Sequence, residues 1–400
     1  MDRFNADTRI KSVTEHITLP APSYLRLKGL QGSSSQFVVS SVYQHAQTSG
    51  LNHLVILDGP EEAAYFHNTL ENLTKAIDLF YFPSSYKNKK NYKLLNSSHV
   101  MLRTEALTRF SHEGNRRIMV TYPDALFEKV VLPKTLNKNI IRLKTNDELD
   151  VNDLMEKLIG FGFERTDFVY EPGQFAMRGG ILDIYSFGND KPYRLELFGN
   201  DVDSIRIFDP ETQLSERKLL QVTIIPNVET HFEEEEKTSI AEFLPENTIV
   251  WIYDKEILYE NLLTQEEDLA LYMERQSGAI VSGDELDEDK SEKQHVSFDD
   301  FMKADELLSL LQKRHIIEFG PDTGKSGTQD QDMNVIKFAT KDQPSFNRQF
   351  DILIRDLKQA EKKNYAIFLF AENPRQLERL HSIFSDLNAE ISFTPIPVSI

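Results

Sequence analysis

Cysteine is absent from the 400 residues. Its absence removes disulfides, thiolate nucleophiles and cysteine-ligated zinc, and a reducing, cytoplasmic setting is the expectation. No apolar run approaches the ~18–20 residues of a membrane-spanning helix, so no membrane association is expected. The opening residues, MDRFNADTRIKS, lack the apolar core of a signal peptide. Positive charge is also short: 45 Lys and Arg face 64 Asp and Glu, a formal charge of −19. Duplex affinity comes largely from cations that neutralise phosphates, which argues against a general DNA-binding surface. The densest basic stretch, Lys87-Asn88-Lys89-Lys90 with Lys93 beyond it, reads as a solvated loop. The ten histidines show no H-E-x-x-H or similar ligand spacing. Neither a metal nor another cofactor is therefore expected, and no catalytic constellation stands out.

What is present is an alternation of short strands and helices. Tyr24–Leu27, Leu54–Leu57, Leu79–Phe82 and Arg117–Thr121 read as strands. Phe37–Gln47, Glu61–Ile77, Leu102–Ser111 and a short segment around Ala125–Lys129 read as helices. Such alternation predicts an α/β domain with a parallel sheet, here over residues 1–139. A chain of this length exceeds what one core usually serves, so further domains are expected. An α+β unit follows at 140–225, opening with Ile140–Leu143 and a helix at Val151–Phe161 whose stripe is Leu154, Leu158 and Ile159. Residues 226–335 turn acidic, with Glu233–Glu236, a strand at Ile249–Tyr253 and a charge-rich connector at Glu285–Lys293. From 336 the chain predicts a small α/β unit: a helix at Arg348–Lys362, a strand at Tyr365–Phe370 and a helix from Pro374 to Leu387, capped by Asn373.

The richest segment runs from Tyr170 to Pro210. Strands are expected at Gln174–Met177, Ile181–Ser186, Tyr193–Phe198 and Val202–Phe208, separated by turns that use glycine at Gly179-Gly180, Gly188 and Gly199. Strand side chains alternate faces, so Leu195 and Leu197 share one side while Arg194, Glu196 and Phe198 share the other. Ile205 and Ile207 likewise oppose Arg206. An exposed ring among guanidiniums has the composition of a protein-binding hot spot. An ordinary solvated face with one phenylalanine folded under a helix fits the pattern too. Asp183, inside an apolar strand, is expected to accept hydrogen bonds from turn amides or to pair with an arginine such as Arg178.

The order Glu171…Gly173, Phe175, Arg178-Gly179-Gly180, Ile181-Leu182-Asp183-Ile184, Tyr193–Phe198 and Ser204–Asp209 resembles the second domain shared by the excision-repair protein UvrB and the transcription-repair coupling factors (Mfd). That resemblance implies a UvrB-like split α/β domain, an inserted α+β docking domain for UvrA, and the start of a third small α/β domain. By position it implies Arg178, Arg194 and Phe198 as UvrA contacts, with Arg206 a weaker addition. It also implies that residues 226–335 are the returning half of the split domain.

In UvrB the first domain carries a phosphate-binding loop. The equivalent stretch here is Gly29-Leu30-Gln31-Gly32-Ser33-Ser34-Ser35-Gln36. A working loop ends in Gly-Lys-Ser/Thr, with lysine on the β/γ-phosphates and the hydroxyl on magnesium. Ser34, Ser35 and Gln36 stand there instead, so a degenerate nucleotide site is expected, as in the coupling factors. A second Gly-Lys-Ser, at Gly324-Lys325-Ser326 after the strand-like His315–Phe319, has the wrong glycine spacing and no apolar helix behind it. The expectation is therefore a monomeric adaptor that is part of a longer protein, recruiting UvrA to stalled RNA polymerase. Polymerase contacts, DNA contacts and an ATP-driven DNA motor would lie elsewhere in the parent. The alternative is a fragment of a UvrB-type ATP-dependent damage-recognition helicase.

Overall fold

Short strands, the central ones buried on both faces, build the larger of two main sheets. In the computed structural model, residues 2–74, 78–88, 91–112, 114, 116–227, 237–282, 296–320, 334–341, 345–371 and 373–397 are described. The chain divides into two compact units, Met1–Thr340 and Lys341–Ile400.

Within the first unit, seven strands form a sheet in the order Asn334–Lys337, Tyr24–Lys28, Ile316–Glu318, Thr248–Ile252, Asn52–Ile56, Ile118–Thr121, Leu79–Tyr81. Each neighbouring pair is parallel. Burial of Asn52–Ile56, Ile118–Thr121 and Thr248–Ile252 is continuous along the strand, as a sheet covered by helices on both faces requires. Strands from beyond residue 226 insert between Tyr24–Lys28 and Asn52–Ile56, so one core is assembled from both ends of this unit. Asn334–Lys337 completes the edge, although the sequence assigned residues from 336 to the next unit. The fold is thus mixed α/β, as expected.

Between these two contributions lies a six-stranded sheet ordered Ser215–Leu219, Asp201–Phe208, Tyr193–Phe198, Ile181–Ile184, Gln174–Arg178, Glu164–Arg165. Its pairs are antiparallel except the last. The helix Val151–Gly160 packs on one face; Asp150 caps it by accepting from the amides of Asn152 and Asp153. Leu154 and Leu158 are buried there with Leu182, Leu195 and Ile205. Ile159, placed on the same stripe by the sequence reading, is instead exposed. At about 100° per residue it sits a quarter-turn from Leu158. The ladder of Ile141–Lys144 with Gln221–Ile224 closes the base of this region. Helix Ser97–Phe110 ties the two cores together: Val100 packs into the second, Ala106, Leu107 and Phe110 into the first.

The second unit has helices at Phe350–Lys362 and Pro374–Asp386 and a parallel pair of strands, Phe368–Ala371 with Thr394–Pro397. Its core is Leu353, Leu357, Phe384 and Ala389. Asn373 caps the second helix by accepting from the Gln376 amide at 3.0 Å. Among the described residues, no helix is long and apolar enough to cross a membrane. The acidic Glu233–Glu236 run, the Glu285–Lys293 connector, Lys89 and Lys90, and the Gly324-Lys325-Ser326 motif lie outside the described residues.

Candidate docking site

The polar face of the six-stranded sheet carries a single row of paired residues: Ala176, Asp183, Arg194, Arg206 and Lys218 stand opposite one another across five strands. Alternation puts Leu195 and Val202 wholly inside and leaves the neighbouring side chains on this face. Phe198 ends its strand beside the Gly179-Gly180 turn, where the Leu197 amide donates to the Gly180 carbonyl at 2.7 Å. The Phe198 ring is 82% exposed. Gly180 has no alternative here, because an added Cβ would lie 2.9 Å from the Leu197 carbonyl oxygen.

Asp183 is completely buried beneath this face and accepts from two arginines. Arg194 donates through Nε at 2.7 Å to Oδ1 and through Nη2 at 2.8 Å to Oδ2. Arg178 donates through Nη2 at 2.6 Å to Oδ2. Donating to Asp183 raises the already high pKa of the Arg194 guanidinium. Two loops each take a further donor: Arg178 Nη1 donates to the Asp167 carbonyl at 2.6 Å, and Arg194 Nη1 to the Gln213 carbonyl at 3.0 Å. Each guanidinium also stacks on a ring, Arg178 on Phe168 at 4.4 Å and Arg194 on Phe208 at 4.3 Å. Arg178 keeps a side-chain exposure of 33%, Arg194 only 14%. Arg206 stands apart, bonded to Glu196 at 3.0 Å.

The structure therefore brings Arg178 and Arg194 onto one carboxylate, with Phe198 open at the end of the hairpin. The pairing of Asp183 with Arg178 was anticipated; its grip on Arg194 was not. Phe168 was also missed, because a ring in the 166–170 loop has no period that would mark it.

The Gly29–Gln36 stretch follows strand Tyr24–Lys28, and the helix begins at Ser34, earlier than the expected Phe37. Ser33 occupies the cap position without a side-chain bond. The amide of Gln31 donates to Ser34 Oγ and to Thr340 Oγ1, both at 2.8 Å, and Thr340 Oγ1 donates to the Gly29 carbonyl at 2.7 Å. Gly29 has φ +78°, and a Cβ there would fall 2.0 Å from the Phe338 carbonyl oxygen. Ser35 and Gln36 are buried and bonded to each other at 3.0 Å. At the same carboxyl edge of the sheet, burial first, then Asp254 and Glu62, push the Asp58 carboxyl up to about 6. Ligands of open α/β sheets bind outside this edge; here it presents carboxylates, which repel phosphate. Among the described residues, no group of three or more histidines and carboxylates could hold a metal ion.

Residues 141–232, the segment that contains the polar row, match the family described as the UvrB interaction domain. Curated relatives extend the likeness well beyond it. The chain is similar to the transcription-repair-coupling factor of Staphylococcus haemolyticus, 27% identical over 331 residues, covering 72% of this chain and 28% of that protein. It is also similar to the one from Staphylococcus aureus strain USA300, 23% identical over 402 residues, covering 89% of this chain and 34% of the relative. The resemblance is to the transcription-repair-coupling factors. It runs across both halves of the seven-stranded sheet as well as the UvrB interaction domain, while the chain spans about a third of the length of these coupling factors.

Proposed function

We propose that this chain is the adaptor region of a transcription-repair coupling factor, and that the polar sheet face captures UvrA. One observation carries the reading: a phenylalanine 82% exposed, on the same strand as one member of an ordered arginine pair, within the segment that matches the UvrB interaction domain. Exposed aromatic and arginine anchors concentrate binding energy. Arg178 and Phe198 make the contact, with Arg206 a weaker addition and Arg194 held behind them. Residues 140–225 act as the docking domain, 1–139 with 226–335 as the split scaffold, and 336–400 as the start of a third domain. The remainder of the parent protein supplies the ATP-driven DNA motor and the contacts to RNA polymerase and DNA, and the whole works in the cytoplasm.

The Gly29–Gln36 loop takes no part in nucleotide chemistry in this reading. Ser35 stands at the lysine position and Gln36 at that of the magnesium-binding hydroxyl, and the Gln31 amide is spent on Ser34 and Thr340. Immobilised UvrA should retain the wild-type chain, and Phe198→Ala should weaken retention by roughly 30-fold, the equivalent of about 2 kcal/mol for a hot-spot ring. ATPase activity of the same preparation should stay at background. Turnover of ATP by the chain, with UvrA capture indifferent to Phe198→Ala, would return the chain to the UvrB-type helicase reading.

A further inference from the structure

We propose that Asp183 is the positioning residue of the docking face: it locks Arg194 as an internal strut and holds Arg178 ready for the partner. The inference rests on the reading of this face as the UvrA contact. Both oxygens of the buried carboxylate are engaged, Oδ1 by Arg194 and Oδ2 by Arg194 and Arg178 together. Arg194 spends its fork inward, on Asp183 and on the Gln213 carbonyl, and lies against Phe208. It has little surface left to offer. Arg178 spends one Nη on Asp183 and one on the Asp167 carbonyl, yet a third of its side chain stays accessible. Its plane is backed by Phe168, which is itself 48% exposed.

Holding a long side chain in place before contact removes the ordering cost that binding otherwise carries. Two guanidiniums and one carboxylate also leave a single net positive charge, not two. The matching partner surface is one carboxylate or carbonyl beside an apolar pocket for the Phe168 and Phe198 rings. A face that worked through positive charge alone would instead gain from losing Asp183, because the cluster would rise to a double charge and draw an acidic partner faster.

Those two roles differ in sign. Asp183→Asn keeps the shape and removes the charge, so UvrA titrated against the full chain should bind at least tenfold more weakly at low salt, despite the added positive charge. Unchanged or tighter binding by a variant that melts cooperatively overturns the proposal. Phe198→Ala, measured alongside, separates the two ideas: if it weakens capture while Asp183→Asn does not, the docking face stands and the positioning role falls. If Asp183→Asn does not fold, a double-mutant cycle of Phe168→Leu and Arg178→Lys takes its place. Coupled losses are expected, and strictly additive ones overturn the inference.

Discussion

Glu128→Ala is expected to lower the stability of the first unit by ~3–5 kcal/mol, the cost of stranding one member of a buried ion pair. Glu128 is buried and accepts from Ser84 Oγ at 2.6 Å, Ser85 Oγ at 2.6 Å and the Ser85 amide at 3.0 Å. Arg103 Nη2 lies 3.3 Å away, and its side chain is wholly inaccessible. Arg103 also donates to the Pro83 carbonyl at 2.9 Å and lies 4.3 Å over the Phe82 ring. Removing the carboxylate strips the guanidinium of its Glu128 counter-charge in a dry site, while the Pro83 carbonyl and the Phe82 ring stay in place. Replacing both members by apolar residues, as in Arg103→Met with Glu128→Leu, should recover much of the loss, because the desolvation penalty disappears with the charges. Urea unfolding of the two variants checks this; a Glu128→Ala chain within about 1 kcal/mol of wild type would refute it. The outcome bears on docking too. Helix Ser97–Phe110 holds Arg103 in one core and Val100 in the other, so loosening it loosens the packing behind the six-stranded sheet.

Mild acid should destabilise the same unit through His53, by ~2 kcal/mol at pH 5 from this group alone. His53 is fully buried between Tyr43, at 5.7 Å, and Trp251, at 6.2 Å. Trp251 Nε1 can only donate, and it donates to His53 Nδ1 at 3.1 Å, so the ring must be neutral with Nδ1 as acceptor. A second proton would set two N–H groups against each other. Burial pushes its pKa down to about 3 from the ordinary 6.5. The unfolded chain therefore takes up the proton first. The contribution is intact above pH 6.5 and is lost progressively as pH falls toward 3. Asp58 runs the other way: its carboxyl, raised to about 6, binds a proton more tightly in the folded chain and favours the fold as pH drops from 6 toward 4. The separate His53 term is read as the difference in pH slope between wild type and His53→Gln. Trp251, the sole tryptophan and the direct neighbour, reports unfolding by fluorescence. Identical acid slopes in the two chains would rule out the assignment.

Much of the architecture was legible in advance, for identifiable reasons. Leu195 and Phe198 sorted correctly because a strand has a period of two and the turns at Gly179-Gly180 and Gly199 bracket it. The central strands of the parallel sheet stood out as short apolar runs. Asn334–Lys337 did not, being an edge strand with polar ends. Helix Ser97–Phe110 starts five residues before its expected first residue because Asn96 caps it, accepting from the Ser98 and His99 amides, and that signal was present but unused. Arg194 was read as displayed, since alternation says which face a side chain takes but not what else occupies that face. Its capture by Asp183 depends on the register of two strands, and its second clamp on Gln213, held at φ +61° in a loop. The Gly29 turn meets Thr340, more than three hundred residues away in sequence, which no local pattern announces.

The interleaved order of the seven-stranded sheet governs how the chain can acquire its shape on the ribosome. Tyr24 finds its partner at Ile316, so at about 5–20 residues per second the nascent edge waits roughly 15–60 s for its neighbour to be synthesised. The segment that matches the UvrB interaction domain, whose described strands lie between Ile141 and Ile224, has each of them long before then. Translation thus delivers the six-stranded sheet first and the completed seven-stranded sheet last, and the early half must spend that interval with Tyr24–Lys28 unpaired and Asn52–Ile56 paired on one side alone.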